Sequence, residues 1–382
     1  MKKVYLDNAA TTKIHDDVIV NMTNVMTEVY GNPSSSHSFG RASKTVVETA
    51  RKIIAKELNV TAGEIFFTSG GTEADNLVLL SAVRDLGVTR IITSKIEHHA
   101  VLHTVNFLEK NDGIEVIYVG LNVNGTVNIT DLEHLLRQSD AKTLVSLMHV
   151  NNEIGTILDL KRVAELCKTN QALFHSDTVQ SIAHYKLDLQ DIPVDFIVSS
   201  AHKFHGPKGV GFVFVRKHSG IHPIIHGGEQ ERGLRAGTES IHNIVGLETA
   251  FKHAYAHLES EREYITSLKT YFSSEIKNAF PEATFNGDSS NLEVTTYTIV
   301  NVCFPFESHK TQMLLFQLDL KGIACSRGSA CQSGSQKGSH VLAELLNETD
   351  FKKPSIRFSF SQYNTKEDID YVIEVLKEFA KK

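Results

Sequence analysis

The sequence predicts an α/β fold with a largely parallel sheet covered on both faces, followed by a smaller α+β domain. Three observations carry this reading. Short apolar runs alternate with helical patterns from about residue 46 to residue 250, the rhythm of strands joined by crossover helices. The runs are brief, β-branched or aromatic, and bounded by turn residues, as buried strands are. Near residue 250 that rhythm stops, and a long helical stretch leads into a different order of elements.

In chain order, residues 46–58 read as a helix and 64–68 as a strand. A helix opens at Thr72 or Glu73 and continues through Leu77, Leu80 and Val83. Strands follow at 90–93, 114–118 and 143–147, with helical patterns around 100–110 and 130–137 between them. Further strands fall at 173–175 and in the runs Phe196-Ile197-Val198 and Phe212-Val213-Phe214-Val215, which flank Lys203. Residues 246–280, rich in Ala, Glu, Lys and Leu, form one long helix or two. A strand (294–304), a helix (311–320), a strand (355–361) and a last helix (365–381) complete the smaller domain.

At 382 residues the chain suggests about two to three domains. Its 41% hydrophobic and 22% charged residues are those of a soluble globular protein. A net charge of −6 argues against nucleic acid as a direct partner. No run of ~18 apolar residues is present, so no membrane span is expected. Asp7 and Asn8 interrupt the N-terminal apolar stretch too early for a signal peptide. Cys167, Cys303, Cys325 and Cys331 contain no C-x-x-C pair and suggest neither a disulfide framework nor structural zinc. A cytoplasmic enzyme is the expectation. Among the 19 histidines, His98, His99 and His103 cluster, but they lack the acid of an H-E-x-x-H site, and no metal is expected in the protein core.

The chemistry gathers where strands end, which is where open α/β sheets bind ligands. Lys203 lies in Ser199-Ser200-Ala201-His202-Lys203-Phe204-His205-Gly206-Pro207, where a strand empties into a Gly/Pro-rich turn. A lysine in such a site can lose its proton and attack a carbonyl, whereas a surface loop lysine does nothing of the kind. Thr68-Ser69-Gly70-Gly71-Thr72-Glu73 joins a strand to a helix, and its free amides suit a phosphate. The segment is not a Walker sequence, and its plainer reading is a Gly turn with a Thr cap. Asp177, past a buried strand, is either a helix cap or the partner of a protonated heterocyclic nitrogen. His98 offers an imidazole that can stack on a flat ring or move protons. Asn151-Asn152-Glu153 follows another strand and either holds a polar ring substituent or makes a turn. A phosphate cradle, an acid, a stackable imidazole and a Schiff-base lysine together describe pyridoxal phosphate.

With these residues in view, the chain resembles the cysteine desulfurases of the class V aminotransferase family, in the branch of the nitrogenase and housekeeping iron–sulfur assembly enzymes. The likeness runs from Tyr5-Leu6-Asp7-Asn8-Ala9-Ala10-Thr11-Thr12 through Gly31-Asn32-Pro33 and Arg235-Ala236-Gly237-Thr238 to Ser355-Ile356-Arg357-Phe358-Ser359. It implies a fold type I pyridoxal phosphate enzyme with a seven-stranded, mainly parallel sheet. The large domain would span 16–250, and the small α+β domain would comprise 1–15 plus 251–382. Lys203 would bind the cofactor aldehyde and move the α-proton, Asp177 would pair with the ring nitrogen, and Gln180 would contact the ring hydroxyl. His98 would stack on the ring, and Asn152 would lie beside ring and substrate. Gly71, Thr72, Ser200 and His202 would hold the phosphate, joined by Thr238 from the other subunit of a homodimer. Arg357 would bind the substrate carboxylate, as a guanidinium fork does well.

Cys331 decides the reaction. It lies in Ser326-Arg327-Gly328-Ser329-Ala330-Cys331-Gln332-Ser333-Gly334-Ser335, a small and polar stretch that predicts a loop over about 325–339. Cys167 and Cys303 lie in apolar patterns and read as inert core thiols, while Cys325 is either a strand end or an auxiliary thiol. The resemblance implies conversion of L-cysteine to L-alanine, with the sulfur left as a persulfide on Cys331. From there it would pass to an acceptor protein, an iron–sulfur scaffold or a tRNA-thiolation protein, with a transient iron–sulfur contact through Cys331 as the only metal involvement. The alternative is a selenocysteine lyase on the same scaffold. Arg327, Gln336-Lys337-Gly338 and Ser361-Gln362 depart from the family pattern.

Overall fold

The computed structural model describes residues 2–328 and 338–381. After a short strand β1 (Val4–Tyr5) come helices α1 (Asp16–Glu28) and α2 (Ser38–Glu57). Then follow β2 (Ile65–Thr68), α3 (Gly71–Leu86), β3 (Arg90–Thr93), α4 (His99–Asp112), β4 (Glu115–Tyr118) and α5 (Ile129–Arg137). The same alternation continues with β5 (Thr143–Ser146), α6 (Leu160–Thr169), β6 (Leu173–Asp177), β7 (Phe196–Ser200) and β8 (Gly211–Val215). Two helices, α7 (Ile241–Ala256) and α8 (Leu258–Ala279), lead to β9 (Thr284–Phe285), β10 (Ile299–Cys303), α9 (Lys310–Leu320) and β11 (Ile323–Ala324). Helices α10 (His340–Leu345) and α11 (Glu348–Lys352), strand β12 (Ser355–Ser359) and helix α12 (Lys366–Ala380) end the chain.

The main sheet has seven strands in the order β2-β8-β7-β6-β5-β3-β4. Only β8 runs against its neighbours, so the sheet is otherwise parallel in sense. Strands β2, β3, β5, β6, β7 and β8 are buried at nearly every position, as a sheet sandwiched between helices requires. One core joins α2, α6 and α7 to the sheet through residues such as Val47, Ile54, Val163, Phe212 and Phe251. A second core surrounds the antiparallel sheet β12-β10-β9 and contains Val4, Leu6, Leu268, Phe272, Val302, Phe358 and Leu376. The first residues of the chain therefore pack with its last.

Several elements differ from the sequence expectation for identifiable reasons. The helix expected over 46–58 begins at Ser38, because the His37 ring accepts the Gly40 N–H (3.2 Å) and caps it early. Gly40 belongs there because a Cβ would meet the Ser35 carbonyl at 2.3 Å. The strand expected over 294–304 is confined to Ile299–Cys303. Ahead of it, Thr295 and Thr296 spend their polar groups on the buried Lys269 ammonium (3.0 and 2.6 Å) instead of a ladder. The stretch read as one helix or two is two, broken at His257.

A buried ion pair fastens α2 to the edge of the sheet. Arg51 donates to both Glu231 oxygens (2.6 and 2.9 Å) and to the Ile65 carbonyl (2.6 Å), and Glu231 accepts the Phe67 N–H at 2.8 Å. Both side chains are 2% exposed. Arg51→Met strands the Glu231 carboxylate in the interior, and loss of one member of such a pair costs about 3–5 kcal/mol. The expected result is a marked fall in the urea midpoint of the variant, with partial recovery when Glu231→Gln is added.

Candidate active site

Parallel strands send their carboxyl ends to one edge of the sheet, and there the polar residues converge. A cavity of ≈ 200 Å³ at that edge is lined by Gly71, Thr72, Asp75, His98, Asn152, Asp177, Gln180, Ser200, His202, Lys203 and Arg357. Segments after β2, β3, β5, β6 and β7 supply all of these except Arg357, which reaches in from β12 of the smaller sheet. Nearly every residue the sequence singled out is thus brought together. Thr238 is not. It lies with Arg235 in a separate depression beside Phe67 and Ser69. Cys331 lies outside the described residues.

At one end of the cavity, α3 presents its N-terminal turn, where backbone N–H groups and the helix dipole favour an anion. Gly71 must be glycine, since a Cβ would stand 2.6 Å from Val179 Cγ2. Ser200 closes β7, and a single 3-10 turn (Ala201–Lys203) then carries His202 and Lys203. His202 lies 3.2 Å from the Thr11 hydroxyl. Burial, reinforced by the charges of Lys203 and Lys208, lowers its pKa to about 4. It therefore offers hydrogen bonds rather than charge at neutral pH.

At the other end Asp177 terminates β6 and accepts the Val179 N–H at 2.9 Å. Burial pushes its carboxyl up to about 6, against the Val179 bond and the Lys203 charge, which favour ionisation. Behind it sits Asp75, 3.3 Å from His175 Nε2, while His175 Nδ1 meets the Ser146 hydroxyl at 2.9 Å. Burial, then the Asp177 and Glu97 charges, raises the Asp75 pKa far above the usual carboxylate range. Glu97 is pushed up to about 8, chiefly by burial, although it accepts the Met148 N–H (3.0 Å). Asp75 and Glu97 were not among the residues expected from the sequence. The available signal was an acid in an apolar helix face, with Ala74, Leu77 and Val78 around Asp75.

His98 caps α4, its Nδ1 accepting the Ala100 N–H at 3.2 Å, so the ring proton sits on Nε2. Burial and the Lys203 charge lower its pKa to about 4, which leaves a flat, neutral ring on the cavity wall. Lys203 donates to the carbonyls of Ala9 (2.6 Å) and Ala10 (2.9 Å), and Gln180 donates to the same Ala9 carbonyl at 2.9 Å. The N-terminal segment is therefore part of the cavity. Arg357, 1% exposed, donates to the Asn152 carbonyl (2.6 Å) and to Asp7 (2.8 Å). Its Nε and the Asn152 Oδ1 are buried without hydrogen-bond partners among the described residues. Cys325 lies in the same neighbourhood, and burial followed by the Asp7 charge raises its pKa, so its thiol stays protonated.

These features fit a flat heterocycle bearing a phosphate and a ring N–H. An anion cradle lies at one end, an acid that is costly to ionise alone lies at the other, a neutral ring flanks the space, and an amine stands within reach. The carboxylates of Asp75 and Asp177 and the His98 ring bring ligand atoms within 4.8 Å of one another, which adds acceptors to that same cavity.

Fold and cavity together define a sheet-edge site of the kind used by fold type I pyridoxal phosphate enzymes. The chain belongs to the class V aminotransferase family, whose profile (Aminotransferase class-V) matches residues 4–372. It is 41% identical over 383 residues to the cysteine desulfurase IscS of Dictyoglomus turgidum, covering 100% of this chain and 95% of that protein. It is also 41% identical to the putative cysteine desulfurase IscS 1 of Bacillus subtilis, with 99% of each chain covered. Among solved structures, a NifS-like protein superimposes with a TM-score of 0.90 at 36% identity over 100% of both chains. SspA in complex with cysteine does so with a TM-score of 0.82 at 30% identity, covering 95% of this chain and 100% of that one.

The raised Asp177 pKa makes a pH prediction for the cofactor-free protein. An acid whose folded-state pKa is raised adds stability that is complete below its ordinary value of about 4. That stability is lost as pH rises through about 6. Asp177→Asn should flatten the decline between those values. The measurement is the urea midpoint against pH, and identical profiles for the two proteins would remove Asp177 as its source.

Proposed function

We propose that this chain is a cysteine desulfurase that uses pyridoxal phosphate to convert L-cysteine to L-alanine and leaves the sulfur as a persulfide on Cys331. The observation that carries the reading is the convergence of Lys203, Asp177, His98 and Arg357 in one cavity of a class V chain. The cysteine desulfurase relatives and the cysteine complex of the SspA structure support the choice of substrate.

Each residue then has a task. The N-terminal turn of α3 with Thr72, Ser200 and His202 would hold the phosphate, and Asp177 the ring N–H. That N–H would supply the positive partner whose lack makes the carboxyl hard to ionise. Bound pyridoxal phosphate supplies an aldehyde for amines and a sink for the electrons released at the α-carbon. His98 covers one face of the ring position and keeps water from it. Lys203 Nζ, released from the Ala9 and Ala10 carbonyls, takes the α-proton and returns it. Arg357 holds the substrate carboxylate, with its free Nε and the Asp7-bound Nη2 as donors. The Cys331 thiolate attacks the substrate sulfur. The S–S bond forms as the C–S bond breaks, and the electron pair and proton passed to the former Cβ complete the methyl group of alanine.

The same reading places Thr238 in the partner's phosphate site of a homodimer, which accounts for its absence from this chain's own cavity. It divides the chain into a large unit at 16–250 and a small one at 1–15 plus 251–382. It also makes the persulfide a donor to an iron–sulfur scaffold or tRNA-thiolation protein in the cytoplasm, where a cluster could touch Cys331 in passing. Among the described residues no helix is long and apolar enough to cross a membrane.

Incubation with L-cysteine, with alanine and protein-bound persulfide measured together, tests the proposal. Cys331→Ser should keep the yellow cofactor and release almost no alanine. Alanine at the parent rate would move the protein to the selenocysteine lyase reading. Lys203→Ala should lose the cofactor adduct that borohydride fixes in the parent, and persistence of that adduct would displace Lys203.

Arg357→Ala should raise KM for cysteine roughly 30-fold or more, since truncating one side of a desolvated charge pair costs about 2–5 kcal/mol. Cofactor affinity should change far less. An unchanged KM would remove Arg357 from substrate binding.

A further inference from the structure

We propose that His253, His257 and Glu261 form a binding site for a divalent transition-metal ion of the zinc class, at the bend between α7 and α8. None of the three lines the cavity around Lys203. One ligand atom from each residue lies within 4.8 Å of the other two. A tetrahedral zinc ion with N and O donors needs them about 3.4 Å apart, given bond lengths of about 2.0–2.2 Å, so small side-chain rotations close the site.

The backbone builds this arrangement. His257 separates the two helices with φ −115° and ψ 11°. Its N–H still donates to the His253 carbonyl (3.2 Å), and its own carbonyl accepts the Glu261 N–H (2.9 Å). The hydrogen-bonded turns thus run on through the bend. On a straight helix, residues eight apart stand about 12 Å apart along the axis. Here Glu261 Oε1 is 3.7 Å from His253 Nδ1, and the His253 and His257 ring centroids are 4.4 Å apart. The bend folds three successive turns onto one point.

The donors are also prepared for an ion. His257 Nδ1 lies 2.9 Å from the His253 carbonyl oxygen. Its N–H donates there, which leaves the Nε2 lone pair free and orients the ring, as second-shell carbonyls do for metal-bound histidines. Glu261 Oε1 is buried without a hydrogen-bond partner among the described residues. Burial raises the Glu261 carboxyl to about 7, a cost that an adjacent cation relieves. His15 packs against His253 with ring centroids 4.0 Å apart, but its Nδ1 is spent on the Asp17 N–H (3.1 Å). Three protein donors leave at least one position for water. Helix α7 packs in the first core through Phe251 and Ala254, and α8 in the second through Ile265 and Leu268. An ion held by both helices therefore ties the two cores at their junction.

The test uses the cofactor-loaded enzyme, freed of metal by a chelator and desalted, then titrated with zinc in competition with a chromophoric chelator. The parent should bind zinc stoichiometrically at this site, and its thermal midpoint should rise. The variant carrying His253→Gln and His257→Gln should lose that zinc or bind it on the order of 100-fold more weakly. It should make alanine normally without added metal. Glu261→Gln, read by the same titration, guards against a folding defect in the double variant. Cobalt should give visible bands without a sulfur-to-metal charge-transfer band, since no cysteine is among the ligands. Equal zinc binding by parent and variants, no stoichiometric binding by the parent, or a cobalt spectrum made only of thiolate bands would overturn the proposal.

Discussion

The burial of the Asp177 carboxyl at the end of a central strand is the constraint around which the site is organised. Left alone in a low-dielectric edge, an ionised carboxylate is costly, and the protein answers by raising its pKa rather than by pairing it tightly. Asp75 and Glu97 deepen the problem, because each adds acidity to the same buried region. Three buried acids thus share one region, and a cation there would relieve the cost of ionising them. Lys203 is the nearby positive group within the chain, yet its ammonium rests on the Ala9 and Ala10 carbonyls. The Lys203 charge nonetheless favours the ionised carboxyl.

That arrangement depends on the two cores meeting at the cavity. The N-terminal segment starts in the second core at Val4 and Leu6, then crosses to place its carbonyls over Lys203 and Gln180. Arg357 comes from the second sheet and grips the Asn152 carbonyl of the first. Next to Asn152, the fully buried Glu153 accepts a hydrogen bond from the Ser339 hydroxyl, and a Cβ on Gly328 would stand 2.7 Å from its Oε2. Gly328 and Ser339 thus both pack against one buried carboxylate, next in sequence to the cavity residue Asn152.

The sequence made much of this legible, and the pattern of hits and misses has a physical basis. The strands read at 90–93, 143–147 and 196–198 were legible because each buried strand has an apolar, largely β-branched centre. Lys203, Asp177 and His98 were readable because polar residues at strand ends stand out against that background, whereas Arg357, in the middle of β12, came only from the family resemblance. The roles of Ala9 and Ala10 were not, since backbone carbonyls have no sequence signature. Asp75 was missed because an acid on a helix is normally assigned to solvent, and only tertiary packing shows α3 buried on that face; Glu97 was missed because it sits in the turn between β3 and α4, where an acid is equally expected to face solvent. Helices α1 and α6 also went unread, and both are capped by side chains, His15 and Asp159, rather than announced by an apolar run.

The histidines show how burial, more than residue type, sorts function in this chain. His98 and His202 are pushed down to about 4 and face the cavity as neutral rings. A charged imidazole there would repel Lys203 and compete with it for Asp177, and burial of both rings prevents this. His253 is also lowered, but its neighbours are two further imidazoles and the Glu261 carboxyl, and the cluster lies at a helix junction rather than at a strand end. Neutral rings beside the cavity suit stacking, whereas imidazoles gathered with an acid at a helix junction suit a cation. One residue type serves two chemistries because the backbone, through a parallel sheet edge in one case and a bent helix in the other, decides what each ring faces.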